Sequence, residues 1–315
     1  MKQRRLINEA ESVLRRHGFR SATAPPALDF CFNIVASCGG TSLVIKAVND
    51  LNEVPREQVE ELCAISKWAR ARPMFLAERR GDEELDEDAV YLKDGIYALS
   101  IEAFKRTLEG DPPLVEVGPT GCFVYLDGDL LRKRREELGL SVGELARLVG
   151  VSRMTIYSYE KGRKRTSPSV AYRLEYVLGV PLVIPISAFE AREDETYEAP
   201  EAYGRERGEL PRRGLLGAVM RLVRRLRLVA MALAEAPFEM MVRHGEVRAV
   251  MNVIHHDDYD KARIMFTRQF TDITGLSHLV VRPEDYECPS SVPSISLREL
   301  ESIRSPEELA KVLAA

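Results

Sequence analysis

The chain has 315 residues, 45% of them hydrophobic and 30% charged, with 45 Lys and Arg against 49 Asp and Glu, for a net charge of −4. That length predicts two or three domains, each able to bury a core, and the composition excludes a disordered, collagen-like or disulfide-scaffold chain. A pI near 5.9 argues at first sight against nucleic acid as a partner, but net charge is a sum and binding is local.

The five cysteines (Cys31, Cys38, Cys63, Cys122, Cys288) are scattered and contain no CxxC pair, so neither a disulfide framework nor a zinc site is indicated. No apolar run reaches the roughly 18 residues of a membrane helix, and charges run through the first residues where a signal peptide stays apolar. A soluble, cytoplasmic protein without membrane contact is expected.

Residues 1–112 read as a mixed α+β domain. A helix is expected near residues 4–17, with Leu6, Ile7, Ala10 and Leu14 on one face. Two β-rich runs, 27–36 and 41–48, flank a turn at Gly39-Gly40. Pro55 opens a helix whose inward stripe is Val59, Leu62, Cys63, Ile65, Ser66 and Ala69. Strands return at PMFLAER and AVYLKDG, and a helix starts at Ser100. Residues 113–187 combine a short β connection with a run of short helices. An acidic linker is expected over 188–213, where hydrophobic periodicity disappears. The last domain, 214–315, begins with a helix expected over 214–235, too apolar for one narrow stripe. Strands FEMMVRHG and EVRAVMNVI, a helix, strand SHLVVRP and a final helix ELESIRSPEELAKVL come after it. The two end domains share their order of elements. Their identity is too low to establish a duplication, and α+β units take this order by chance as well.

The centre is the most specific region. Ser141 caps a helix, with Glu144 three residues on completing a capping box. Leu145 and Ala146 face inward, the alanine small enough for a second helix to cross close by. Gly150 sits where the turn needs positive φ, Val151 packs beneath it, and Ser152 caps the next helix. There Ile156 and Tyr159 point inward at i and i+3, leaving Arg153, Met154, Tyr157, Ser158 and Lys161 outside, with Gly162 ending the helix.

This arrangement resembles the lambda-repressor-like (Cro/repressor-type) helix-turn-helix. The resemblance is carried by Leu131, Arg135, Gly139, Leu140, Ser141, Leu145, Ala146, Gly150, Val151, Ser152, Ile156, Tyr159, Glu160 and Gly162. It implies an Arg135–Glu160 pair and double-stranded DNA as partner. Where that family often places Gln after the N-cap, this chain has Val142. Over the full length the chain is also similar to a family of archaeal helix-turn-helix transcriptional regulators.

Charge resolves accordingly. Residues 129–180 carry eleven basic and six acidic side chains, a net +5, which leaves −9 on the rest. The expected DNA contacts are Ser141, Ser152, Arg153, Met154, Thr155, Tyr157, Ser158, Lys161, Arg163, Lys164 and Arg165. Arg153 suits guanine O6/N7, Thr155 and Ser158 suit base edges, Met154 suits a thymine methyl, and the KGRKR run lies where phosphates would be. Charge runs are otherwise solvated helix ends.

Asp29 and Lys46 on successive strands resemble the PD-(D/E)XK nuclease core, in which two acids and a lysine hold Mg²⁺ and orient water. Val44 stands where the second acid belongs, leaving one carboxylate for a dication that wants several oxygens; Glu9 or Glu11 would have to migrate into the role. The His255-His256-Asp257-Asp258 run reads as a surface turn, because neighbours on a strand point to opposite faces. No catalytic residue, metal or cofactor is therefore expected.

The fold class is α+β and multidomain: a central all-α lambda-repressor-like helix-turn-helix between two mixed α+β domains, with a degenerate nuclease-like scaffold as one reading of the ends. The leading function is a sequence-specific regulator with helix 152–161 in the major groove, acting as a homodimer and open to a small-molecule or protein effector. An Mg²⁺-dependent nuclease guided by the same helix-turn-helix and an adaptor for the transcription machinery are the other readings.

Overall fold

The structure, a computed structural model, describes residues 2–26, 28–162, 164–189, 214–245, 247–254, 259–284, 286, 288–289 and 291–314. The segment expected as an acidic linker therefore lies outside the described residues except for Ala188 and Phe189, as do Arg163 and the His255-to-Asp258 run. Contacts divide the chain into two compact units that interleave along the sequence. One takes residues 1–47, 54–73 and the described part of 196–315, and the other takes 48–53 and the described part of 74–195.

The first unit opens with α1 (Lys2–Arg16), which buries Leu6, Ala10, Val13 and Leu14 at helical spacing. Strands β1 (Arg20–Thr23), β2 (Ile34–Cys38) and β3 (Thr41–Asp50) come next, β1/β2 and β2/β3 both antiparallel. Gly39 and Gly40 form the β2–β3 turn with positive φ at both positions, a conformation that favours glycine. The strand expected over 27–36 pairs only from Ile34 onward. Residues 28–33 form a loop in which Leu28, Phe30, Cys31 and Phe32 are buried, and a short buried apolar run does not by itself distinguish strand from packed loop. Asn33 ties this loop to β3: its Oδ1 accepts from Ala47 N at 2.8 Å and its Nδ2 donates to Ala47 O at 3.2 Å. Helix α2 (Arg56–Ala69) buries Val59, Leu62, Ile65, Ser66 and Ala69, and also Gln58 and Glu61, which the apolar stripe did not include.

The second unit holds β4 (Arg72–Arg80), β5 (Glu83–Glu84), β6 (Ala89–Lys93), β7 (Ile96–Leu99), α3 (Ile101–Leu108), β8 (Val115–Gly118) and β9 (Gly121–Phe123), with strand order β4-β7-β6-β8-β9 and β5 against β4. Ser100 caps α3 by accepting from Ala103 N at 3.1 Å. Next come β10 (Tyr125–Leu126), α4 (Gly128–Glu137), α5 (Val142–Val149), α6 (Arg153–Glu160), α7 (Pro168–Leu178) and β11 (Val183–Ile184). The four helices close around Leu131, Leu145, Ala146, Val149, Ile156, Tyr159, Ala171, Leu174 and Leu178. Antiparallel pairing of β10 with β11 clasps the two ends of the bundle.

The chain then returns to the first unit with α8 (Gly214–Arg225), β12 (Val229–Ala232), β13 (Met240–His244), β14 (Val247–Val253), α9 (Tyr259–Thr274), β15 (Ser277–Arg282), β16 (Ser294–Ser296), α10 (Leu297–Ser302) and α11 (Pro306–Ala314). The strands form one sheet in the order β12-β13-β14-β15-β16. The single helix expected over 214–235 is corrected. It stops at Arg225, Arg227 takes φ +52°, and Val229–Ala232 pair with β13. The excess of apolar residues came from a helix and a strand read under one period. The final helix likewise breaks at Ser305-Pro306, because proline cannot donate within a helix.

Phe30 and Phe32 pack on the α9 rings Phe266 and Phe270, with Phe32–Phe270 centroids 5.2 Å apart, and Phe238 adds a further ring at 5.4 Å from Phe270. His278 on β15 is 2% exposed, its Nε2 2.8 Å from Asn252 Oδ1. Burial, aided by Arg268, pushes its pKa down to about 3, so the folded chain holds it neutral where the unfolded chain would protonate it. The stabilisation is complete above pH ~6.5 and is lost as pH falls from ~6.5 toward about 3, amounting to at most ~5 kcal/mol. Denaturant titrations at stepped pH should show this loss, and His278→Gln should remove most of the slope between pH ~6.5 and ~4.

Candidate nucleic-acid interface

The turn between α5 and α6 is built from local hydrogen bonds. Ser141 Oγ accepts from Glu144 N at 3.2 Å while Glu144 Oε2 accepts from Ser141 N at 2.8 Å. Those bonds hold the Glu144 carboxyl below its ordinary pKa. Gly150 ends α5 with φ +76°, and its amide donates to Ala146 O at 2.9 Å. Two residues later Ser152 Oγ accepts from Thr155 N at 3.0 Å and starts α6.

The base of α6 is anchored from below. Ile156 and Tyr159 are buried, and the Tyr159 hydroxyl donates to Thr166 Oγ1 at 2.8 Å. Arg135 on α4 grips the end of α6 with two bonds, Nε to Glu160 Oε1 at 2.5 Å and Nη2 to Oε2 at 3.2 Å, and its Nη1 donates to Leu140 O at 2.9 Å. The Glu160 carboxylate raises the Arg135 pKa above its ordinary value. Both side chains are nearly buried, so the pair fixes position as well as charge.

The outer face of α6 presents Arg153, Met154 and Tyr157, the last two 70% and 48% exposed. Lys161 extends this face with its ammonium 5.8 Å from the Tyr157 ring centroid. Three small polar residues are engaged locally: Ser158 Oγ donates to Met154 O at 2.9 Å, and the Thr155 and Ser152 hydroxyls lie 2.8 Å apart. Lys164 is exposed. Arg165 is turned inward instead. Its guanidinium pairs with Glu116 on β8 and lies 4.1 Å from the Phe123 ring centroid. Glu116 is 2% exposed and also accepts from Tyr125 Oη at 2.7 Å.

Two glycines escaped the sequence reading. A Cβ on Gly128 would sit 2.5 Å from Tyr159 O and 2.9 Å from Glu160 O, so α4 begins in direct contact with the end of α6. A Cβ on Gly143 would stand 2.7 Å from Arg153 Nε, so the arginine lies across the first turn of α5. Neither has positive φ. The only clue to Gly128 in the sequence is a glycine at the first helical position directly after a capping Asp127, where conformation does not require one.

The residues that resemble a nuclease core come together without forming a cation site. Lys46 Nζ is 2.5 Å from Asp29 Oδ1 and from Phe30 O, and Val44 is fully buried. The buried Glu61 on α2 is already engaged: its oxygens accept from Ala234 N at 2.8 Å and Glu235 N at 2.9 Å, and burial pushes its pKa up. Glu11 pairs with Arg15 at 2.6 Å. Asp29 already pairs with Lys46, and a dication requires several anionic oxygens. This donor set does not fit Mg²⁺.

Comparison with known proteins matches residues 131–184 to a helix-turn-helix family and residues 3–113 to a PD-(D/E)XK superfamily domain. A protein of Thermococcus gammatolerans is 31% identical over 99% of this chain and 96% of its own length. One of Methanocaldococcus jannaschii is 30% identical over 96% and 94%, and one of Pyrococcus horikoshii 30% over 99% and 98%. All three are named as HTH-type transcriptional regulatory proteins. Among the described residues no helix is long and apolar enough to cross a membrane.

Removing one partner of a nearly buried pair strands the other charge. Glu160→Ala should therefore cost about 3 kcal/mol in chemical denaturation, and Arg135→Met combined with Glu160→Leu should recover much of that loss.

Proposed function

Because the chain belongs to the family of archaeal HTH-type transcriptional regulatory proteins, we propose that it is a sequence-specific regulator that lays α6 in the major groove of double-stranded DNA. The observation that carries this reading is the α5–turn–α6 pair itself. Both caps, the left-handed glycine and the Arg135–Glu160 clamp hold a short helix rigidly with its polar and basic side outward.

Within residues 113–187, Arg153, Met154 and Tyr157 face base edges, with Thr155 and Ser158 adding contacts where their hydroxyls can be shared. Lys161, Arg163 and Lys164 meet phosphates, joined by the exposed cap residues Ser141 and Ser152. Arg165 contributes to the interface only by bracing the segment against Glu116. Two chains bind as a homodimer on two half-sites, and the end domains receive an effector, small molecule or protein. The protein works in the cytoplasm, away from membranes, and is not an enzyme.

A guided nuclease is the second reading, favoured by the PD-(D/E)XK match over residues 3–113. The mismatch of Val44, Asp29 and Lys46 to a dication stands against it. Incubation with plasmid and Mg²⁺ should leave the DNA intact; cleavage lost in Asp29→Ala would reverse this choice.

The regulator reading is tested by salt-titrated binding to genomic fragments. Some fragments should bind far better than random DNA. Arg153→Ala should cost about 1–3 kcal/mol and relax preference at one base, while Lys164→Ala should weaken all sequences alike and lower the salt slope by about one. Binding no better to any fragment than to random DNA would sink the proposal.

A further inference from the structure

Residues 214–303 repeat residues 2–108 element for element. The order α8, β12, β13, β14, α9, β15, β16, α10 is that of α1, β1, β2, β3, α2, β4, β7, α3, and among the described residues only β5, β6 and the single 3-10 turn Leu51–Glu53 lack a counterpart. The pairings agree as well: β12/β13 and β13/β14 are antiparallel like β1/β2 and β2/β3, and β15/β16 is parallel like β4/β7. In both halves the last strand runs into a serine, Ser100 or Ser296, that caps the next helix.

Order alone arises by chance, but hydrogen bonds at fixed positions do not. At one constant offset along the chain, Ile34 opposite Ile45 becomes Met240 opposite Met251, and Cys38 opposite Thr41 becomes His244 opposite Val247. At that same offset Asn33 N donating to Ile45 O becomes Glu239 N donating to Met251 O. Ala47 N donates to the Asn33 side chain at 2.8 Å, and Val253 N donates to the Glu239 side chain, also at 2.8 Å. Lys46 and Asn252, again equivalent, each donate to a carbonyl of their own preceding loop, Phe30 O and Pro237 O. Different side chains thus hold one geometry.

The two halves meet at those loops. Cys31 N donates to Glu235 O at 2.6 Å, Glu61 accepts from the amides of Ala234 and Glu235, and Gln58 Nε2 lies 3.1 Å from Glu235 Oε2. Phe30 stacks on Phe266, and Phe32 packs at a tilt against Phe266 and Phe270. By the offset, Glu235 is the counterpart of Asp29 and Pro237 that of Cys31. A two-fold mate of the Cys31 bond would need an N–H at residue 237, which proline lacks.

We infer that residues 214–303 are a second copy of the fold matched at residues 3–113, and that the face of the first copy bearing Phe30, Cys31, Phe32 and Glu61 takes this second copy as its partner. The inference is independent of what the helix-turn-helix binds.

Hydrogen–deuterium exchange of the full chain tests it. Phe270→Ala, or Phe270→Leu if the alanine variant does not fold, should raise exchange about tenfold or more in residues 28–36 of the first copy as well as in 233–241 of the second. Phe32→Ala should reciprocally raise exchange in α9. Asn33→Ala and Glu239→Ala should each expose one amide, that of Ala47 and that of Val253. Effects confined to the copy that carries the ring substitution would overturn the pairing. Protection of only one of the two amides by its side chain would overturn the equivalence.

Discussion

The two-bond grip of Arg135 on Glu160 decides how α6 leaves the bundle. Helix α6 is only eight residues long, and a helix of that length is not stable in water by itself. It is held at one end by the Ser152 cap and at the other by a nearly buried ion pair, with Ile156 and Tyr159 seated between. The end of the same helix also lies so close to Gly128 that any side chain there would clash with Tyr159 O and Glu160 O. A surface that reads a sequence must be rigid before it meets its target, or ordering it consumes the binding energy.

A different constraint governs the first unit. Burying a carboxylate such as Glu61 is costly unless its oxygens are hydrogen-bonded, and the amides of Ala234 and Glu235 meet that requirement. Lys46, 2% exposed, is answered by Asp29 and Phe30 O. Asp29 and Lys46 thus pair within the first copy, the aspartate exposed, next to a packed surface lined with phenylalanine rings.

Much of this was legible in the sequence, above all in the centre. There the caps at Ser141 and Ser152, the glycine at Gly150 and the apolar spacing are short-range rules that act within a few residues. The ends were legible as alternating helices and strands but not in detail. The 28–33 loop resembles a strand because its buried residues answer to α9, far away in the chain. The 214–235 run looked like one helix because local propensity does not reveal that Val229–Ala232 find a strand partner in β13. The inward turn of Arg165 depends on Glu116 and Phe123, which precede it by some forty residues, so the tally of basic side chains overstated the charge offered outward.

Pro237 marks the freedom gained by keeping two copies of a fold in one polypeptide. In a homodimer any substitution strikes both halves of the interface at once, so each residue must suit both roles. Covalent linkage lifts that condition. One half keeps a hydrogen-bonding amide at Cys31 while the other has proline, one keeps asparagine at position 33 while the other has glutamate, and one keeps a buried lysine while the other has asparagine. The interface has been free to become a heterodimer's, with each side specialised, while the tether keeps the two sides matched in number and always within reach.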